Sequence, residues 1–325
     1  MFSSCRFIKF GLISILFLGS SYSHAESFTE KLAVDSNVEI GKLSNGLTYY
    51  IRQNNKPEKR LELRLVVNAG SILENDNQKG LAHFVEHMAF NGSTHFKKNE
   101  LISYLQSIGV QFGGDLNAYT SFDETVFILP IPTDNKANVD KGFLVLEDWA
   151  SGLSFDSTEF EKERGVVIEE ARLGKGASDR VRKKLLPKIF NGSRYAERLP
   201  IGSEEIIKNA NLETIKAFYN DWYRPDLMAV VVVGDITSAE AKRLIEKHFG
   251  NLKNPKGERL RTQYAVTART ATEAIVITDK ENTSSSMQIY GASIVSKPIT
   301  TLEDFRIQLS KAIIFSLLNQ RLQEK

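Results

Sequence analysis

Two histidines and a glutamate fall within five residues, His83-Phe84-Val85-Glu86-His87. On a helix, positions i and i+4 share a face, so both imidazoles reach one point, and Glu86, at i+3 from His83, lies on the same side. The order is H-x-x-E-H. Two neutral imidazoles and one carboxylate make a three-ligand zinc site that leaves a fourth position for water. Zinc lowers the pKa of water to roughly 7, and a nearby carboxylate can accept the proton released. Such chemistry needs a third protein ligand and a base that is not itself consumed as a ligand.

The best source of that ligand is Glu163-Arg164-Gly165-Val166-Val167-Ile168-Glu169-Glu170. Glu163 and Glu170 are two helical turns apart and share a face. Val166 and Val167 lie between them, which predicts that this face is buried, and a buried carboxylate pair is costly unless a cation neutralises it. Glu169 points about 100° away and is the weaker candidate. Arg164 either pairs locally or helps to order Glu163. The remaining histidines invite plainer readings. His95 falls in a polar loop as a solvated side chain, and His248 sits in the last turn of a helix, where a cation suits the macrodipole. Asn91-Gly92-Ser93, Asn191-Gly192-Ser193 and Asn282-Thr283-Ser284 match a glycosylation acceptor pattern that matters only in a eukaryotic secretory route.

The elements that must position these residues are legible from periodicity. Val38–Gln53 alternates about Asn45-Gly46, a hairpin signal, and Leu61–Val67 alternates as a partly buried strand. Gly80–Phe90 is a compact helix, closed by Asn91-Gly92 as a left-handed cap pair. Asn99–Ile108 carries Leu101, Leu105 and Ile108 on one stripe. Short strands are expected around Asn117–Thr120 and Thr125–Leu129, and an amphipathic helix over Lys136–Ser151. A long helix starts at Asp156–Thr158, with Glu159 as a box-like capping partner, and reaches about Leu173. Asp179–Phe190 is basic and is kinked or ended by Pro187. Asn211 caps a helix to Tyr223, Leu227–Val233 reads as a central strand covered on both faces, and Ser238–Phe249 is another capped helix.

The chain has 325 residues, about two domains' worth at ~150 residues each. It is 42% apolar and 25% charged, which fits a globular protein with a real core. Residues 1–25 read as an export signal: Arg6 and Lys9, then the apolar run Phe10–Leu18, then a small-x-small cleavage site at Ser23-His24-Ala25. That run is about half the ~20 residues a membrane span needs, so no membrane association is expected after its removal. Without residues 1–25 the charges balance, so bulk charge offers no argument for nucleic acid. The one cysteine, Cys5, leaves with the signal. Disulfides, thiol nucleophiles and cysteine-ligated metals are excluded with it, and any metal must be held by His, Asp or Glu. The expected organisation is a signal at 1–25, a catalytic domain at 26–250, a polar linker at 251–262, and an incomplete second domain at 263–325. In that last part Ala274–Thr278 and Ser286–Tyr290 are strand-like, and a helix with an apolar stripe (Ile313, Phe315, Leu317, Leu318) starts near Leu302.

H-F-V-E-H followed downstream by E-R-x-V-V-x-E-E resembles the insulinase/pitrilysin family of zinc metallopeptidases, the inverzincins. The resemblance runs from about Val38 to the end. It includes N-A-G-S-x-x-E (Asn68–Glu74), G-x-A-H-F-V-E-H-M-x-F-N-G (Gly80–Gly92), G-G-D-L-N-A-Y-T-S-F-D-E-T-V-F (Gly113–Phe127), W-Y-R-P (Trp222–Pro225) and V-V-G-D (Val232–Asp235). It implies an α+β fold, an antiparallel-rich sheet packed by helices, followed by the start of a second, similar domain. It implies one zinc ion held by His83, His87 and Glu170, with Glu86 as general base and Glu163 as a carboxylate that orients the site. Asn117, Ala118, Tyr119 and Thr120 would lie on an edge strand that receives substrate by β-addition, the first three as its substrate-binding residues. The implied activity is that of a zinc-dependent endopeptidase on unfolded or extended peptides, periplasmic or secreted. Full-length relatives form a clamshell of two halves, so the chain is expected to be truncated, with a second chain able to supply the C-terminal half. The alternative is a non-catalytic or partner-dependent peptide-binding subunit.

Overall fold

The computed structural model describes residues 29–111, 113, 117–291 and 298–324. Residues 1–25, expected to be an export signal, and Cys5 within them lie outside the described residues, as do Gly114–Leu116 of the glycine-rich run. The described part of Val34–Ser296 forms one compact unit, and the described parts of Met1–Ala33 and Lys297–Lys325 form another.

The larger unit is built on one mixed sheet. β1 (Val38–Lys42) and β2 (Thr48–Gln53) form the expected antiparallel hairpin. β3 (Arg60–Val67), β4 (Asn117–Thr120), β5 (Thr125–Pro132) and β6 (Met228–Gly234) complete the order β1-β2-β6-β3-β5-β4. Only the β2–β6 pair is parallel; the other four pairings are antiparallel. Among the described residues β4 closes one end of the sheet and pairs with β5 alone, Asn117 opposite Ile128 through Thr120 opposite Thr125.

Alternation decides which sheet face is buried. Leu61, Leu63, Leu65 and Val67 of β3 join Phe127, Leu129 and Ile131 of β5 and Val230 and Val232 of β6 on one face, all within the core. Against this face pack α1 (Leu81–Met88), α3 (Lys136–Ser151) and α8 (Ser238–Phe249). Each of these has one apolar stripe to bury, as in α3 with Val139, Phe143, Leu146 and Trp149. The remaining helices are α2 (Glu100–Ser107), α4 (Ser157–Leu173), α5 (Ala177–Ile189), α6 (Glu204–Asn209) and α7 (Leu212–Trp222). α1 packs on α4 and α7.

Several expectations need correction. β6 is buried on one face only: Val231 and Val233 are half-exposed and line an open groove with Glu62, Arg64 and Tyr119. An unbroken valine run satisfies one covered face as well as two, so composition could not separate them. Glu159 forms no capping box; Asp156 caps α4 by accepting from Thr158 and Glu159 N–H, while the Glu159 carboxylate pairs with Lys98 and Lys162. Ala274–Thr278 and Ser286–Tyr290 are not strands, because a strand exists only as part of a ladder and neither run pairs with any described residue. α6 was not anticipated; six residues are too few for a periodic signal.

The smaller unit carries α9 (Leu302–Gln323), opened by a capping box between Thr301 and Asp304. Thr301 also bridges Lys31. Exposed apolar side chains on α9 include Ile313, Phe315, Leu317 and Leu318.

Candidate metal centre

α1 is only eight residues long, so it depends on its ends and on packing. Its first turn is tied by Glu74, whose Oε1 accepts from the N–H groups of Gly80 (3.0 Å) and Ala82 (2.9 Å). Burial pushes the Glu74 carboxyl up to about 8, against those two bonds and the charges of Arg198 and Arg194. Gly80 stands at φ +102°, and a Cβ on Gly202 would come within 2.2 Å of the Gly80 Cα, so both positions are confined to glycine. Leu81, Phe84, Val85 and Met88 then anchor the apolar side of α1, and Phe84 stacks on Phe160 of α4 at 4.9 Å. That contact holds the two functional helices in register.

On the opposite side the two imidazoles meet. His83 Nε2 lies 3.2 Å from His87 Nε2. From α4, Glu170 Oε2 lies 3.7 Å from His83 Nε2 and 3.3 Å from His87 Nε2. Ligand atoms held about 2.0–2.2 Å from a tetrahedral zinc sit about 3.3–3.5 Å from one another, so this triangle has the size of a zinc site. Among the described residues it is the one group of three such side chains close enough to share an ion. The donor set fits as well. His87 Nδ1 faces Glu163 Oε1 at 2.7 Å, which places the ring proton on Nδ1 and turns the Nε2 lone pair toward the cluster.

Glu163, seven residues before Glu170, takes the orienting position. Asn91 Nδ2 donates to its other oxygen (2.9 Å) and to the His87 carbonyl (3.0 Å). Burial alone would raise the Glu163 pKa, but the hydrogen bonds from His87 and Asn91 bring it below the ordinary value. For His87 the balance runs the other way: burial favours the neutral ring, yet Glu163, Glu86 and Glu170 together raise its pKa. For His83, burial, with the charge of His87, prevails and takes it down to about 4. Two rings on one helix face are therefore electrostatically unlike in the metal-free protein.

Glu86 is 8% exposed and belongs to no part of the triangle. Its Oε2 accepts a 2.5 Å hydrogen bond from Thr120 Oγ1 on β4. Burial raises its pKa, the Thr120 bond opposes this, and the Glu170 charge adds to it. Glu86 is thus a buried carboxylate beside the cluster, free of the ligand set, with the character of a base tuned upward.

Of the substrate-binding candidates, Asn117, Ala118 and Tyr119 all lie on the edge strand β4. Asn117 and Tyr119 are exposed, Ala118 packs against the core, and the Tyr119 hydroxyl donates to Glu124 at 3.0 Å. The remaining readings divide: Glu169 stays off the cluster and Arg164 pairs locally, as expected, whereas His95 and His248 prove less simple. Arg164 does not reach Glu163; it donates to the carbonyls of Ile207, Lys208 and Ala210 at the end of α6, pairs with Glu161, and lies over the Phe160 ring. Glu169 pairs with Arg172 away from the cluster. His95 is not simply solvated: its Nδ1 and backbone N–H both bind buried Asp148, which also accepts from Ser93. His248 is buried between Glu147 (2.7 Å) and Asp140 (3.3 Å) of α3, so it links α8 to α3 rather than serving the dipole alone. Asn91 is a side-chain ligand of Glu163, and Gly92, at φ +121°, carries the turn.

Sequence reasoning missed Thr120, Asn91 and Glu74 as site-builders. Asn91 follows His87 by four residues, the spacing of a same-face contact, and could have been found. Thr120 was read only as part of the edge strand, and its bond to Glu86 gave no signal, since it depends on how β4 lies across α1.

Residues 49–199 match the model of the insulinase domain of peptidase family M16, and residues 209–325 match the M16 inactive domain. The chain is 36% identical over 297 residues, 90% of its length and 32% of the relative's, to a probable zinc protease, PqqL, of Haemophilus influenzae. It is 36% identical, over 87% of its length and 30% of the relative's, to a PQQL-like zinc protease of Arabidopsis thaliana. The crystal structure of the periplasmic protease PqqL from Escherichia coli superposes with a TM-score of 0.81 at 33% identity, covering 91% of this chain and 32% of that one. The chain spans about a third of the length of these relatives.

Proposed function

The chain belongs to the insulinase family of peptidases, family M16, and from that premise we propose that it carries the catalytic site of a zinc-dependent endopeptidase. Its substrates in this reading are unfolded or extended peptides, and its compartment is the periplasm or the exterior. The observation that carries the proposal is the convergence of His83 Nε2, His87 Nε2 and Glu170 Oε2 beside a buried Glu86 that lies outside the triangle. The periplasmic assignment draws support from the relative of known structure, a periplasmic protease of E. coli. Residues 26–250 form the catalytic domain in this proposal, 251–262 the linker, and 263–325 part of a second domain.

His83, His87 and Glu170 would hold a single zinc ion, which when bound supplies Lewis-acid polarisation of the scissile carbonyl and acidification of water. Glu86 accepts the proton of the attacking water and later delivers it to the leaving amine. Burial raises its pKa, which makes the carboxylate a stronger proton acceptor than an exposed one. Glu163 keeps the His87 ring in the tautomer that leaves Nε2 available. β4 presents its unpaired edge to the substrate backbone, a mode that reads extended chains with little demand on sequence and rejects folded ones.

The test is digestion of an unstructured 20–30-residue peptide by the zinc-loaded chain, with Glu86→Gln, His83→Ala and Glu170→Gln beside it. Glu86→Gln is expected to retain zinc and lose about 10²–10⁴-fold in rate. His83→Ala and Glu170→Gln are expected to lose zinc itself. Full activity in Glu86→Gln contradicts the base assignment. Peptide binding without cleavage, undisturbed by chelator, favours a peptide-binding subunit that needs a partner.

A further inference from the structure

Thr120 stands at the junction between the strand proposed to receive substrate and the base proposed to attack it. β4 is four residues long, and its side chains alternate. Asn117 and Tyr119 are exposed, whereas Ala118 and Thr120 turn toward the helix layer, where Thr120 Oγ1 meets Glu86 Oε2 at 2.5 Å. The strand is held against movement just past Thr120. Ser71 N–H binds the Ser121 carbonyl (3.1 Å), Ile72 N–H binds that of Phe122 (2.9 Å), and Arg261 binds both the carbonyl and the carboxylate of Asp123. A Cβ on Gly70 would come within 2.3 Å of the Ser121 carbonyl oxygen, so the two segments are in direct backbone contact. The hydroxyl is therefore carried on a braced element, while its acceptor sits on the helix that bears both histidines.

We propose that Thr120 is a positioning residue for Glu86. It fixes the plane of the carboxylate and ties the geometry of the base to the strand on which the peptide docks. A hydroxyl suits this role where a cation would not. It satisfies a lone pair on Oε2 without neutralising the carboxylate, and when a proton arrives on Oε1, Oε2 remains an acceptor, so the bond persists through the proton transfer. The free edge of β4 and the inward hydroxyl belong to the same residues, so any displacement of the docked peptide relative to the base must also strain this bond.

The inference rests on the peptidase reading above, and its test separates the two. Thr120→Val removes the donor while keeping the β-branched shape, and Thr120→Ser keeps the hydroxyl. Both are compared with the wild-type chain by kcat and KM on the unstructured peptide, zinc content, melting temperature, and affinity of the zinc-free protein for the same peptide. The expected result is a fall in kcat of about 10- to 100-fold in Thr120→Val, the scale of a lost hydrogen bond to a charged group. KM, zinc content, melting temperature and peptide affinity stay at wild-type values, and Thr120→Ser recovers most of the kcat. A Thr120→Val kcat within twofold of wild type overturns the positioning role. A Thr120→Val chain that melts early, or loses zinc or peptide affinity, assigns Thr120 to the scaffold and overturns it equally. If the zinc-loaded wild type cleaves nothing, it is the peptidase reading that falls.

Discussion

His83 and His87 share a helix face, yet their surroundings push them apart in charge. Burial and the neighbouring ring take His83 down to about 4, while His87, despite its burial, is lifted above its ordinary 6.5 by Glu163, Glu86 and Glu170. A protonated imidazole cannot bind zinc, so protons compete at each ring below that ring's pKa. Zinc affinity is expected to fall about tenfold per pH unit once the pH drops below the pKa of His87. A second proton enters only as the pH nears 4, where His83 titrates. Competitive chelator titration between pH 8 and 4 measures this slope. Glu163→Gln removes a carboxylate that raises His87, so its break is expected at lower pH, with zinc affinity weakened about 10- to 100-fold. An unchanged break and affinity would separate Glu163 from the ligand it touches.

At the scale of elements, the short α1 owes its start to a buried carboxylate six residues upstream of Gly80. Glu74 titrates at about 8 in the folded chain, against 4.5 as an ordinary glutamate. Between those values the folded state binds the extra proton, so its contribution to stability is full below about 4.5 and is lost as the pH climbs through 8. Glu74→Gln has no proton to lose. Chemical denaturation at pH 5 and pH 9 is expected to show the wild type losing about 1 kcal/mol or more relative to the variant over that interval. Equal losses would place the Glu74 titration elsewhere. The elements themselves were largely legible in the sequence, because α3, α7 and α8 carry apolar stripes and capping residues that operate locally. Helical spacing put His83 and His87 on one face, and Glu163 and Glu170 on another, but it could not choose between the two glutamates; the choice of Glu170 came from the family resemblance. What stayed hidden was everything set by how one element lies across another. The open face of β6, the Thr120–Glu86 bond and the Asp148 anchor of His95 all depend on tertiary placement that no local pattern encodes.

For the molecule as a whole, the functional groups come from segments far apart in sequence, and an apolar core draws them together. Leu63, Phe84, Phe127, Trp149, Phe160 and Val232 belong to a large buried core. Zinc is expected to add stability to it by mass action. Removing it by chelation is expected to lower the melting temperature while the cooperative transition survives, with the shift growing as free zinc is raised. A chain that unfolds outright on chelation would show that the core does not stand alone. The central claim is that α1 and α4 bring two imidazoles and one carboxylate to a single ion, with Glu86 outside the ligand set. An anomalous difference map at the zinc edge, from crystals of the zinc-loaded chain, tests it most directly. The expected result is a single peak about 2.0–2.2 Å from His83 Nε2, His87 Nε2 and Glu170 Oε2. A peak bound by Glu86 in place of Glu170, or no peak between the two rings, would contradict it.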